Sequence, residues 1–148
     1  MSYSAEQNQT AISATLHCLT GCAIGEVLGM VIGTAIGLGN VATIALAVAL
    51  AFLFGFGLTM RPLLKTGLAV GAAVSLAFAA DFFSITVMEI VDNSIMLAIP
   101  GALDAHLASP LFWGSLIVSL AIAFWAAFPV NRYLIARGKG HAVVHHAH

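Results

Sequence analysis

Long apolar stretches separated by short polar segments dominate the chain. Four of these stretches approach or exceed the about 20 residues that a helix needs to cross a bilayer core of about 30 Å. Turn-forming or charged residues interrupt the apolar pattern at each boundary. The sequence therefore predicts an all-α fold, an integral membrane bundle of four transmembrane helices, with spans at about residues 11–38, 41–59, 66–90 and 111–130.

Three polar segments are predicted to connect the spans. Gly37-Leu38-Gly39-Asn40 predicts a tight turn, because Gly and Asn tolerate positive φ. Arg61-Pro62-Leu63-Leu64-Lys65 is predicted to separate the second and third spans, since proline ends a helix and charges favour the membrane surface. Residues 91–110 are predicted to extend the third helix and then to form a loop with a short interfacial turn.

The basic residues predict the orientation. Lys and Arg occur only in the 61–65 segment and after Asn131, so the positive-inside bias places that segment and both termini in the cytoplasm. The predicted domain organisation is a polar N-terminal segment over 1–10, one transmembrane domain over 11–133, and a His-rich flexible cytoplasmic tail over 134–148.

Composition agrees with a membrane protein. Hydrophobic residues make up 61% of the chain and charged residues 7%, whereas soluble domains have about 25% charged residues. The formal net charge of −1 gives no indication of a nucleic-acid partner; the lipid bilayer is the expected surrounding.

The first span carries a row of glycines spaced by four residues. Such a row forms a groove that lets another backbone approach closely. The partner is either another helix of the same chain or a neighbouring subunit of a homo-oligomer. The row consists of Gly21, Gly25, Gly29, Gly33 and Gly37.

A second row on the first span combines side chains that bind metal ions. Cys18, Cys22, Glu26 and Met30 share the four-residue spacing, and His17 lies beside the first of them. Thiolate, imidazole, carboxylate and thioether groups are ligands for Cu or Zn. The alternative is that the cysteines are small buried hydrophobes and that His17 is an interfacial group.

Two acids are predicted within the membrane at a common depth. Glu26 lies fifteen residues after Ala11, and Asp81 lies fifteen residues after Thr66, at the predicted starts of two parallel helices. A carboxylate in mid-membrane requires neutralisation, hydration or a partner. We therefore predict an inner metal site of His17, Cys18, Cys22, Glu26 and Asp81, the alternative being two neutral acids buried for packing alone.

Further polar positions follow along the third span and the tail. Met88, Glu89, Asp92 and Met96 predict an outer cation mouth, unless the acids are simply a solvated helix end. In the tail, a transition-metal ion is expected to bind weakly, if the segment has any role beyond a disordered terminus. The tail histidines are His141, His145, His146 and His148.

The segment from His17 to Met30, with Asp81, Met88-Glu89 and Asn131 to His141, resembles a family of small bacterial four-helix membrane proteins classed as a domain of unknown function. Some of its members are labelled as related to copper oxidases. The resemblance implies a multi-pass protein of the bacterial inner (plasma) membrane and a link to metal handling, with a membrane or periplasmic metal-handling protein as partner.

Three functions are compatible with these patterns. The first is binding and permeation of a transition-metal ion, or another cation, between the first and third helices. The alternative is a structural or assembly protein that docks a partner through the glycine row, and the third is a proton-coupled carrier of a small solute. An enzyme is not expected, because no nucleotide-binding loop, H-E-x-x-H motif or Ser/His/Asp set is apparent.

Overall fold

The computed structural model describes residues 4–138, which form four helices and no strand. The helices are α1 (Ala5–Ala35), α2 (Asn40–Lys65), α3 (Val70–Ala98) and α4 (Pro110–Ala136). Each is long and apolar enough to cross a membrane, with mean hydropathy between 1.6 and 2.4 in its most apolar window. The predicted all-α membrane bundle of four helices is confirmed.

Helix α1 begins at Ala5, six residues before the predicted start of the first span. Ser4 and Gln7 form a capping box: the Ser4 hydroxyl accepts from the Gln7 amide at 3.1 Å, and the Gln7 side chain accepts from the Ser4 amide at 3.0 Å. These two bonds satisfy N–H groups that a helix start otherwise leaves without a partner. The polar N-terminal segment is therefore largely the first turns of α1.

The connection between α2 and α3 lies later than predicted. Helix α2 continues through Arg61 and Pro62 to Lys65, and the turn is formed by residues 66–69 around Gly67, whose φ is +87°. Proline is tolerated within a membrane helix because the freed carbonyl finds other donors. The Gly67 turn repeats the Gly37 turn after α1, where φ is +73°.

The helices pack in the cyclic order α1, α2, α3, α4, each antiparallel to its neighbours. Across the centre of the bundle α1 contacts α3, whereas α2 and α4 make no contact within the described residues. Helices α1 and α3 therefore run parallel along the short diagonal. Both described ends of the chain lie at one end of the bundle, where Ala11 and Ala14 of α1 pack with Ile135 of α4.

The α1–α2 interface is a contact between backbones. An added Cβ at Gly21 would lie 2.7 Å from the Cα of Gly55, and one at Gly25 would lie 2.4 Å from the amide nitrogen of Ala51. Gly29 and Gly33 meet Ala47 and Thr43 in the same way. The four contacts step by four residues on both helices, so α2 of the same chain fills the groove predicted for a helix or subunit.

Gly37 does not belong to this contact. It lies in the turn after α1, and nothing is within 4 Å of the position where its Cβ would be. Its assignment to the packing row was wrong, because α1 ends at Ala35 and the left-handed backbone of Gly37 turns the chain toward α2.

Replacing Gly25 with alanine is expected to lower the free energy of unfolding by about 1–3 kcal/mol, because the new methyl group would overlap the α2 backbone. The measurement is reversible unfolding in mixed detergent micelles. Gly57→Ala is the matched control, since nothing lies within 4 Å of that position. Equal stability of the two variants would contradict the close α1–α2 contact.

The predicted orientation places Lys65 in the cytoplasm and the loop before α4 outside the cell. In a protein carrying Cys18→Ala and Cys22→Ala, we expect an impermeant thiol reagent to label Ala108→Cys in intact cells. Lys65→Cys should be labelled only after the membrane is permeabilised. The reverse labelling pattern would show that the orientation in the membrane is opposite to the predicted one.

Candidate functional site

Two rows of buried side chains face each other across the α1–α3 contact. The α1 row lies one residue further along the helix than the glycine row, which corresponds to a rotation of about 100°. Every member of both rows is buried. The α1 row is Cys18, Cys22, Glu26 and Met30, and the α3 row is Asp81, Met88, Glu89, Asp92 and Met96.

The two rows meet in parallel register. The Cys18 thiol lies 3.7 Å from Oδ1 of Asp81, and Sγ of Cys22 lies 3.9 Å from Sδ of Met88. The next member of each row brings the carboxyl group of Glu26 within hydrogen-bonding reach of Asp92. Beyond these acids, Met30 and Met96 share one apolar cluster. The predicted inner site and outer mouth are thus one continuous set of contacts.

The prediction that Glu26 and Asp81 share a depth was wrong. Asp81 lies beside Cys18, which is eight residues, or about 12 Å along the helix, before Glu26. The error follows from the helix bounds, because α1 starts at Ala5 instead of 11 and α3 starts at Val70 instead of 66. These opposite shifts move α3 by about ten residues relative to α1, so Glu26 meets Asp92.

Three acids form a buried cluster, which we call the acid cluster, in the half of the bundle away from the termini. Glu26 is 6% exposed, Glu89 4% and Asp92 0%. The Ser119 hydroxyl of α4 donates to Oδ1 of Asp92, and the Asn93 side chain donates to Oε2 of Glu89 at 3.2 Å. Within residues 4–138 one oxygen of each of the three carboxyl groups lacks a donor.

The basic residues lie far from the acid cluster. Within residues 4–138 they are Arg61 and Lys65 near the end of α2, and Arg132 and Arg137 near the end of α4. Burying charge in mid-membrane is costly unless a counter-charge, a proton or water compensates it. The acid cluster therefore requires a proton, a cation or water.

A cavity of about 60 Å³ leads to Glu26. Its lining includes Met30, Met96 and Thr43, and it reaches Leu38 and Asn40 at the turn between α1 and α2. There the Asn40 side chain donates to Asp104 of the α3–α4 loop at 3.0 Å. The volume is sufficient for a few water molecules, so Glu26 lies beneath a partly polar opening at the end of the bundle away from Arg61, Lys65, Arg132 and Arg137.

His17 of the predicted inner site contacts α2 through one ring nitrogen. Its Nε2 lies 2.7 Å from the Thr59 hydroxyl of α2, on the side of α1 that carries the glycines. Neither Cys18 nor Cys22 forms a disulfide, and both are fully buried. No group of three or more His, Cys, Asp or Glu side chains within residues 4–138 is arranged to hold a metal ion. The four tail histidines lie outside the described residues.

The sequence did not predict a further group of buried polar side chains, which lies in the half of the bundle that holds the termini. Asn131 of α4 donates to the hydroxyl groups of Thr15 in α1 and Ser84 in α3, each at 2.9 Å. The four-residue row of Ser119, Ala123, Ala127 and Asn131, all buried on α4, was the available signal. The predicted fourth span ended at residue 130, so Asn131 fell just outside it.

Comparison with known protein families gives a match over most of the chain. Residues 7–140 match the family described as Domain of unknown function (DUF4396). No curated protein and no solved structure matches the chain.

The register predicts which acids interact energetically. In a double-mutant cycle, Glu26→Gln and Asp92→Asn should be non-additive by more than about 0.5 kcal/mol in the free energy of unfolding. Glu26→Gln and Asp81→Asn should be additive within about 0.5 kcal/mol, because they occupy different levels. Unfolding in mixed micelles provides the values, and coupling to Asp81 instead of Asp92 would contradict the register.

Proposed function

We propose that this chain, which belongs to the DUF4396 family, binds a transition-metal cation within the membrane and passes it along the contact between α1 and α3. We call this route the polar axis. It comprises the acid cluster, the Cys22–Met88 pair and the Cys18–Asp81 pair. The observation that carries the proposal is the register of the two rows, which aligns ion-binding groups through the middle of the bundle.

The acid cluster supports capture of a cation. Its three carboxyl groups are buried, each has an oxygen without a donor among the described residues, and the cavity connects Glu26 to the nearby end of the bundle. A cation that leaves water for this position replaces hydration by carboxylate oxygen and relieves repulsion between the acids. Met30 and Met96 flank the approach with thioether sulfur.

The sulfur atoms favour a thiophilic ion as the substrate. Two sulfur ligands at about 2.3 Å from one ion are at most about 4.6 Å apart. Sγ of Cys22 lies 3.9 Å from Sδ of Met88, so one ion can bind both sulfur atoms. Thiolate and thioether donors select Cu(I), and thiolates also bind Zn(II). When Cys22 binds the ion it must lose its proton, and the Glu89 carboxyl group within hydrogen-bonding reach accepts it.

The spacing of the polar axis fits transit better than storage. Successive levels offer different ligands: the carboxyl groups of the acid cluster, the sulfurs of Cys22 and Met88, and the thiol of Cys18 with the carboxyl group of Asp81. Conduction needs several sites that bind well enough to admit an ion and weakly enough to release it. A bacterial inner-membrane location, a homo-oligomeric state and a metal-handling partner complete the proposal.

A proton-coupled carrier of a small solute is the second candidate. The contact between Glu26 and Asp92 favours it, because two adjacent carboxyl groups readily share one proton. Docking of another membrane protein through the glycine row is not proposed, since α2 occupies that face.

Uptake into proteoliposomes tests the proposal. We expect the wild-type protein to admit Cu(I) or Zn²⁺ to an enclosed metal indicator, and Glu26→Gln or Cys22→Ser to slow uptake about tenfold or more. Glu6→Gln, the same chemical change at an exposed position in the first turn of α1, should leave the rate unchanged.

Two results would contradict metal permeation. One is equal uptake by wild-type protein and both site variants. The other is no uptake of either metal combined with proton flux that depends on Glu26, which would favour the second candidate.

A further inference from the structure

A polar junction joins three helices at the level of the Cys18–Asp81 pair, in the half of the bundle that holds the termini. Thr15 lies three residues nearer the termini than Cys18, and Ser84 lies beside the Cys18 thiol. Asn131 of α4 uses both amide hydrogens to bind Thr15 of α1 and Ser84 of α3. The Thr15 hydroxyl in turn donates to the carbonyl oxygen of Ala11 at 2.6 Å. We call Thr15, Ser84 and Asn131 the Asn131 junction.

Not every polar atom of the Asn131 side chain has a hydrogen-bond partner within the described residues. The side chain is 1% exposed, and its Oδ1 has no hydrogen-bond partner within residues 4–138. A carboxamide has two donor hydrogens and an oxygen that accepts two bonds, so the donors are fully used and the acceptor is not. A buried polar atom of this kind is rare and points to an occupant such as water or an ion.

The Asn131 junction continues the polar axis. Ser84 lies within hydrogen-bonding reach of the Cys18 thiol, and that thiol contacts Asp81. Asn131, Ser84, Cys18 and Asp81 therefore form one connected set of polar groups that spans α1, α3 and α4. Their side chains are all buried.

We propose that Asn131 closes the polar axis at this end and provides the last ligand to a departing cation through Oδ1. The inference rests on the proposed function for the identity of the cargo, whereas the closure stands on the hydrogen bonds alone. The cation leaves Cys18 and Asp81 when the hydrogen bonds of Asn131 to Thr15 and Ser84 open. The oxygens of Asn131 and of Thr15, on the terminal side of Cys18, then take the place of sulfur, and an oxygen environment releases a thiophilic ion readily.

Reactivity of the native thiols tests the closure without requiring transport. In the wild-type protein, Cys18 should react slowly with a small charged methanethiosulfonate reagent, because the thiol is buried behind the junction. Asn131→Ala should speed the labelling of Cys18 about tenfold or more, the change expected when hydrogen bonds that hold a closed state are lost. Cys22→Ala makes Cys18 the only thiol, and Cys18→Ala isolates Cys22, whose labelling should not change.

Two further variants keep this test decisive. Ser84→Ala removes a single bond of the junction and should also speed Cys18 labelling, if Asn131→Ala proves unable to fold. Ser119→Ala is the matched control and should leave the labelling of Cys18 slow. It removes a buried α4 hydroxyl that bonds Asp92 at the other end of the axis. Slow labelling in folded Asn131→Ala and Ser84→Ala protein, or fast labelling of Cys18 in the wild type, would overturn the closure.

Asn131→Leu tests the ligand role separately. Leucine has a similar volume and keeps Cys18 covered, but it lacks the carboxamide oxygen, so uptake of Cu(I) or Zn²⁺ should fall about tenfold while labelling stays slow. Unchanged uptake in this variant would overturn the ligand role. If the wild-type protein moves neither metal, the proposed function fails, yet the labelling results still decide whether Asn131 closes the axis.

Discussion

The contact between the backbones of α1 and α2 determines where the polar side chains of α1 point. A helix places successive residues about 100° apart, so fixing Gly21, Gly25 and Gly29 against α2 also fixes Cys22 and Glu26 one residue further along. In lipid, the burial of apolar surface does not drive helices together, so their association depends on close packing. Small residues permit that packing because they let the backbones approach. The glycine row thus serves the site without contributing a functional group to it.

The centre of the bundle lies along its short diagonal, between α1 and α3. Because α1 and α3 touch and α2 and α4 do not, the centre is occupied by the side chains of two helices. Small residues on α4 accommodate them: Ala123 and Ala127 pack against the cysteines and Met88, and Ser119 and Asn131 bond the flanking polar groups. Four acids and two thiols are buried in this centre.

Much of this arrangement is encoded in patterns visible in the chain. Residue spacing predicted the number of spans and the close packing of Gly21 to Gly33. It also predicted that polar side chains of the first and third helices lie together. The register did not, because it depends on where helices start. The Ser4–Gln7 capping box and the continuation of α2 through Pro62 each moved a boundary by a few residues, and at 1.5 Å per residue that decides which acids meet. Asn131 was missed because a polar residue at the end of an apolar run resembles a surface position.

The four-residue turn between α1 and α2 has a consequence for biosynthesis. Since the chain emerges from its N-terminus, this hairpin can assemble in the bilayer before α3 has been made. Helix α3 is then the costly one to insert, because each acid at mid-membrane opposes partitioning by about 2.5–3.5 kcal/mol on scales derived from the translocon. A hairpin already displaying Cys18, Cys22 and Glu26 offers Asp81, Glu89 and Asp92 a polar surface on arrival. The order in which the helices are made therefore favours the insertion of α3.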